Sequence, residues 1–143
     1  MSYVAIKAEL KTILDDTGIF TGEVLTRGES AEGYAFGASP SAMVFPTGHE
    51  NDYLTTDDNL RTFMFNIVIL RHTHASKYQT EQDALEANVD TVMDAIDTNQ
   101  YLNDVVLTTI PVGATFGTIG NASDQMVLAA VIVVKSKKDK SLV

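Results

Sequence analysis

The sequence predicts an α+β fold, with a mostly antiparallel or mixed sheet of about four to five strands and two amphipathic helices packed on it. Two segments place apolar residues at helical spacing, and one long segment alternates apolar residues along a strand. The links after the second helix are short, which favours antiparallel pairing of consecutive strands. We expect one domain over residues 1–135 and a basic, flexible tail over residues 136–143.

The first helix is predicted over Ser2–Asp16, and Gly18 suits its end. Its apolar residues follow the i, i+4, i+7, i+8 spacing of a single buried stripe: Ile6, Leu10, Ile13 and Leu14. Residues 19–40 are glycine-rich and irregular, with short strands predicted at Val24–Thr26 and Tyr34–Phe36.

The next two strands differ in length. Ala42–Phe45 is predicted as a short strand that ends in a turn at Pro46–Gly48, and Glu50–Asp58 is predicted as a polar loop. Arg61–Arg71 is predicted as the main strand, with apolar residues on both faces. We therefore expect it to lie centrally in the sheet, with cover on each side.

The second helix is predicted over about Thr80–Thr98, where Thr80 and Asp83 resemble a capping pair. Its apolar stripe consists of Leu85, Val89, Val92, Met93 and Ile96. Asp94 and Asp97 oppose the negative end of the helix dipole, so helix stability does not explain their placement.

Two strands close the chain, at Val105–Pro111 and Met126–Lys135. The segment between them, Gly113–Asp124, contains three glycines and is predicted to extend as a flexible hairpin arm.

Composition excludes several classes of protein. The absence of cysteine excludes disulfide frameworks and thiolate chemistry, and it favours folding in the cytoplasm. The first residues do not have a signal-peptide pattern, and the longest apolar run, Met126–Val134, is too short to span a bilayer. A net charge of −9 and a pI near 4.5 disfavour general nucleic-acid binding, although four of the ten basic residues lie within Lys135–Lys140.

No catalytic, cofactor-binding or metal site is predicted. His72 and His74 point to the same side of a strand, but two imidazoles need further ligands, and solvation of a strand end explains them better. The adjacent carboxylates Asp15-Asp16 and Asp57-Asp58 do not face each other, as paired acid–base catalysis would require. The glycine spacing from Gly113 matches neither a dinucleotide-binding nor a phosphate-binding loop.

The succession of elements resembles the tail-terminator, or tail-completion, proteins of long-tailed bacteriophages and related tailed viruses. The resemblance rests on an arginine entering a Phe-x-Phe-x-Ile-x-Ile strand at Arg61 and an acidic helix with Val92-Met93-Asp94-Ala95-Ile96. Two closing strands follow, and the short strand ending in Val44-Phe45-Pro46 lies before them. The resemblance covers about residues 1–135 and leaves Glu23–Ser39 unaligned.

The resemblance implies a structural virion protein and no enzyme. Such proteins form a ring, commonly a homohexamer, that caps the tail tube, contacts the tail tube protein and joins the tail to the head–tail connector protein. The ring would be made in the host cytoplasm and located in the neck of the virion. DNA would pass through its lumen without specific binding, and no cofactor or membrane is implied.

Two glycine-rich stretches, Gly22–Gly37 and Gly113–Gly120, are the candidates for contacts with ring neighbours and the tube. Their apolar anchors are predicted to be Val24, Tyr34, Phe36, Phe116 and Ile119. Two rival functions stay open. One is another head–tail joining protein, a connector or stopper, and the other is a small ligand-binding or metal-dependent domain that uses His72, His74 and the Gly113–Asp124 arm.

Overall fold

Two helices and five strands make up the part of the chain that the structure describes. The structure is a computed structural model that describes residues 2–21, 24–26, 40–53, 58–74, 77–102, 106, 108–119 and 125–141. The elements follow in the order α1 (Ser2–Asp16), β1 (Val24–Leu25), β2 (Ser41–Tyr53), β3 (Asp58–His74), α2 (Tyr78–Thr98), β4 (Thr108–Ile119) and β5 (Gln125–Ser141).

The strands form one sheet in the order β1-β2-β3-β5-β4. The short β1 runs parallel to β2, and the three pairings among the longer strands are antiparallel. The predicted α+β class and strand number are thereby confirmed. The main strand does lie at the centre, because β3 pairs with β2 on one side and with β5 on the other.

Both helices pack on the same face of this sheet. The buried stripes of α1 and α2 join one core with the inward residues of the sheet, including Phe63, Phe65, Ile67 and Ile69 of β3. The helices therefore cover one side of β3. The alternate apolar residues of β3 lie on the opposite face, where Leu70 belongs to a separate, smaller cluster.

Helix α1 begins and ends where the sequence predicted. The amide of Gly18 donates to the carbonyl of Asp15, and Gly18 has φ +71, the left-handed conformation that glycine adopts without strain at a helix end. Helix α2 begins two residues before Thr80, and its first residue is not preceded by a side-chain cap. Asp83 instead accepts a hydrogen bond from Gln79 Nε2 at 2.9 Å. Neither helix is long and apolar enough to cross a membrane.

Strand β2 is much longer than predicted. The segment Pro46–Gly48 is a bulge within the strand and not a turn, and pairing with β3 continues to Tyr53. Proline is tolerated there because β1 pairs only with Ala42 and Met43, so β2 needs no donor on its outer side at Pro46. Polar residues from Glu50 onward pair through their backbone, which requires no apolar pattern.

Strands β4 and β5 also extend beyond the predicted ranges. Gly113–Ile119, expected within a flexible arm, pairs with β5, and residues 120–124 lie outside the described residues. Strand β5 continues to Ser141 and pairs with β3 along its whole length. The segment expected as a flexible tail is therefore the end of a strand, and Ser136 is fully buried, with its hydroxyl 2.9 Å from that of Thr109.

Candidate interaction surface

The face of the sheet opposite the helices is the first candidate surface. Because directly paired residues of antiparallel strands point to the same side, the register assigns its members. We call this surface the open face, and its members on the three central strands include Met43, Phe45, Glu50, Leu60, Thr62, Met64, Asn66, Val68, Leu70, His72, Val127, Ala129, Val131, Val133, Lys135 and Lys137. No described helix packs against it.

The open face changes character along the strands. At one end, Met43, Leu70 and Val127 are buried in a small cluster of their own. In the middle, Val68, Val131 and other apolar residues are half-buried. The face thus carries apolar surface that the helices of the same chain do not cover, which is typical of surfaces that contact another protein.

The other end of the open face carries residues of both charges. Lys135 lies opposite Met64 and Lys137 lies opposite Thr62, so both lysines share this face on alternate positions of β5. Lys137 is exposed and Lys135 is half-buried. Neither lysine forms an ion pair with a described residue. Glu50, opposite Thr62 on β2, forms no ion pair with either lysine. Three more acidic residues occupy register positions of this face, namely Asp52, Asp58 and Asp139.

Strand β4 forms an edge of the sheet, since it pairs with β5 alone among the described strands. Three of its apolar residues are strongly exposed, namely Ile110 (46%), Val112 (55%) and Phe116 (47%). Its sequence contains no charged residue. A long, uncharged and apolar edge strand is a template for contact with another chain, because its outward backbone groups are unpaired.

Helix α2 presents a continuous stripe of carboxylates on the side away from the core. The stripe consists of Asp83, Glu86, Asp90, Asp94 and Asp97, all of them exposed and spaced by three or four residues. We call it the acidic stripe. At 3.6 residues per turn it lies opposite the buried stripe that contains Leu85 and Val92. The helix contains no lysine or arginine, so neighbouring like charges destabilise it without compensation.

The predicted interface residues lie in different environments. Phe116 is exposed on β4, in agreement with a contact role. Ile119 is the last residue of β4 and lies opposite Val127, in a part of the strand whose backbone alone is described. Val24 is half-buried and packs against the main core. Tyr34 and Phe36 lie outside the described residues.

The histidines occupy strands. His72 is half-buried on the open face near the end of β3, and His74 lies two residues further in the same strand. Among the described residues, no group of three potential metal ligands is found. His49 lies in β2, and a 2.6 Å hydrogen bond joins its Nδ1 and the hydroxyl of Tyr3.

A cleft of about 430 Å³ lies between the C-terminal halves of the two helices. Its lining includes the carboxylates Glu9 and Asp16 and the polar residues Thr12, Thr17 and Asn99. Each of these three polar side chains donates a hydrogen bond to a carbonyl of its own helix or helix end. The cleft therefore offers the half-buried carboxylate of Glu9 and the exposed carboxylate of Asp16.

One polar network was missed by sequence reasoning. Arg71 donates from Nε and Nη2 to Glu81 Oε2, at 2.9 and 2.8 Å, and from Nη1 to Asn88 at 2.9 Å. The arginine and the glutamate are 16% and 22% exposed. The network connects the end of β3 to the first turns of α2, so it has a structural role. Glu81 is held by this pairing with Arg71.

The chain was compared with known proteins by sequence. No protein family matches it, and no curated protein is significantly similar to it.

Proposed function

We propose that this chain is the subunit of a ring that terminates the tail tube of a tailed virus and joins it to the head connector. The observation that carries the proposal is the uncharged edge strand β4 with exposed Ile110, Val112 and Phe116. Exposed apolar residues gathered on one edge strand favour a chain that works in contact with other proteins.

The order of elements also supports the proposal. A helix, a short strand, a strand that contains Phe45-Pro46 beside a bulge and a long central strand precede the acidic helix and two closing strands. This is the succession on which the resemblance to tail-terminator proteins rests. The open face, against which no described helix packs, provides a second surface, so one subunit has separate areas for a ring neighbour and for a tube or connector protein.

The charge of the chain suits passage of DNA through the ring. A net charge of −9 gives a surface that repels phosphates over most of its area, so the lumen would not retain the nucleic acid. A connector or stopper would share this property and the same assembly surfaces. The position of the ring, at the end of the tube or between connector rings, distinguishes the two functions.

Deletion of the gene from the viral genome that encodes it tests the proposal. We expect particles whose heads and tails are unjoined, or whose tails are abnormally long, because nothing stops the tube. Electron microscopy of the lysate reads out both defects. The wild-type gene should restore normal virions in trans. Normal virions without the gene, or a gene that lies outside any viral genome or prophage, would contradict the proposal.

Phe116 offers a matched pair of variants for the same assay. Phe116→Asp places a charge on the apolar edge, whereas Thr118→Asp places the same charge two residues further along the same side of β4, at an exposed polar position. We expect Phe116→Asp to fold normally and to fail to restore joined tails, and Thr118→Asp to restore them at least in part. Equal complementation by both variants would remove β4 as the contact.

A further inference from the structure

We infer that β4 of this chain pairs antiparallel with β4 of a second copy, with Phe116 of each copy opposite Phe116 of the other. The partner is the chain itself, and the two sheets continue into each other across a twofold axis. The inference concerns the free chain before any larger assembly, so it does not rest on the proposed function.

The outer side of β4 offers backbone groups to another strand. Strand β4 pairs with β5 alone, and no further backbone hydrogen bond of residues 108–119 is found among the described residues. In an antiparallel pair, every second residue directs its backbone groups away from the partner strand. An added strand binds the whole row of these groups at once, which is the mode of recognition by strand addition.

The helix layer leaves this edge accessible. Phe116 lies opposite Ala130, a member of the main core, so its side chain is on the helix side of the sheet. It is nevertheless 47% exposed. Thr115, Gly117 and Thr118 are exposed as well, on both sides of the same strand. A second strand can therefore approach β4 in the plane of the sheet.

The distribution of charge favours a second copy as the occupant. Each copy carries a net charge of −9, so two copies repel wherever their acidic surfaces meet. Strand β4 contains no charged residue, and residues 127–133 of β5, which pair with its second half, contain none either. This strip lets two copies approach without placing like charges opposite each other. A basic partner would gain more at the acidic stripe of α2.

The bulge and the end of β4 define the register. Regular pairing with β5 covers residues 113–119, after the bulge that follows Pro111. Phe116 is the middle residue of this segment. Full overlap of two such segments in antiparallel orientation places Phe116 opposite Phe116 and Ala114 opposite Thr118. Directly opposed aromatic side chains stabilise such a pair.

The contact is small, so the dimer is weak. One pair of strands with its flanking side chains lies at the low end of protein interfaces, below about 1,200 Å² of buried surface. A dilute solution therefore contains monomer, whose outward β4 amides exchange freely. Salt strengthens the dimer, because it screens the repulsion between two acidic copies and leaves an uncharged contact unaffected.

Single cysteines test the pairing, since the chain contains no other cysteine. Phe116→Cys should form an intermolecular disulfide under mild oxidation, because opposite Cα atoms about 4.5–5.5 Å apart are within reach of a disulfide. Thr118→Cys is the matched control, exposed on the same side of β4. Its two copies lie about 14 Å apart in this register, too far to bridge. We expect cross-linking of Phe116→Cys to be faster by about tenfold or more on non-reducing gels.

A mixture of two variants tests the register with Phe116 in place. Ala114→Cys and Thr118→Cys should each stay largely uncross-linked alone and form a mixed disulfide when combined, because residues 114 and 118 lie opposite each other. Mass spectrometry identifies the mixed product, and circular dichroism checks the fold of each variant. For the wild type, the dimer fraction in sedimentation velocity should rise with protein concentration and with salt.

Three results would overturn the pairing. They are equal cross-linking of Phe116→Cys and Thr118→Cys, a mixed disulfide no more abundant than the disulfides of either variant alone, and a wild-type chain that stays monomeric at every concentration and salt. Each of these results leaves the terminator function intact. Normal virions after deletion of the gene would overturn that function and leave the dimer intact.

Discussion

Val92 shows at the scale of a single residue what the core requires. It is fully buried on α2, in the cluster that joins both helices to the sheet. Val4 on α1 is the same residue type, also in a helix, but 54% exposed. The pair separates the effect of burial from the effect of a valine-to-aspartate change in a helix.

We expect Val92→Asp to prevent folding, because an unpaired buried carboxylate costs several kcal/mol against a total stability of roughly 5–15 kcal/mol. Val4→Asp should keep the parental melting temperature within a few degrees, since its carboxylate stays in water near a helix N-terminus. Thermal denaturation followed by circular dichroism measures both. A folded Val92→Asp variant would show that the assigned face of α2 is wrong.

Arg71 is the second residue with a measurable role. Its three hydrogen bonds to Glu81 and Asn88 are partly shielded from water, unlike the exposed pair between Lys11 and Asp15. We expect Arg71→Met to lower the free energy of unfolding by about 1–3 kcal/mol, because charged hydrogen bonds are lost and a carboxylate is left half-buried. Lys11→Met should change it by less than about 0.5 kcal/mol. Urea titrations of both variants check the contrast, and equal losses would remove the structural role of Arg71.

Strand β4 is the element whose structure differs most from its sequence pattern. Three glycines lie in or directly after it, yet Gly113–Ile119 is paired with β5. In an antiparallel pair at a sheet edge, successive amides alternate between facing the partner strand and facing outward. About half of the amides of β4 are therefore protected by hydrogen bonds to β5, and the other half face outward.

This alternation gives a prediction for amide hydrogen exchange. Residue-resolved exchange across Gly113–Thr118 should alternate, with slow amides facing β5 and fast amides facing outward. If another chain adds to this edge in the assembled state, the fast set should become slow. Uniformly fast exchange in the free protein would show that the strand does not form in solution.

The whole molecule has an uneven distribution of charge. The helix layer is acidic, and the basic residues of the sheet gather toward the end of β5. The net charge of −9 nevertheless dominates at distances beyond the Debye length, which is about 8 Å at physiological salt. We expect no measurable affinity for duplex DNA under these conditions, as judged by fluorescence anisotropy.

Measurable binding to duplex DNA would indicate which surface of the chain binds it. Tight binding that weakens steeply with salt would require a concentrated basic surface, and Lys135→Glu with Lys137→Glu should then abolish it. Such a result would contradict a passive lumen. Binding that is indifferent to these two lysines would place the contact elsewhere on the chain.

The sequence by itself determined the elements that bury an apolar stripe. The helix Ser2–Asp16, the end of α2 at Thr98 and the central position of β3 follow from periodicity, because burial selects residues at the period of the element. Where a strand is held by backbone pairing without an apolar pattern, only the tertiary structure shows its extent. The extensions of β2 past Pro46 and of β5 to Ser141 are of this kind. Only the tertiary structure also shows which face of the sheet the helices cover. An apolar pattern on both faces of a strand does not indicate which element packs against each face.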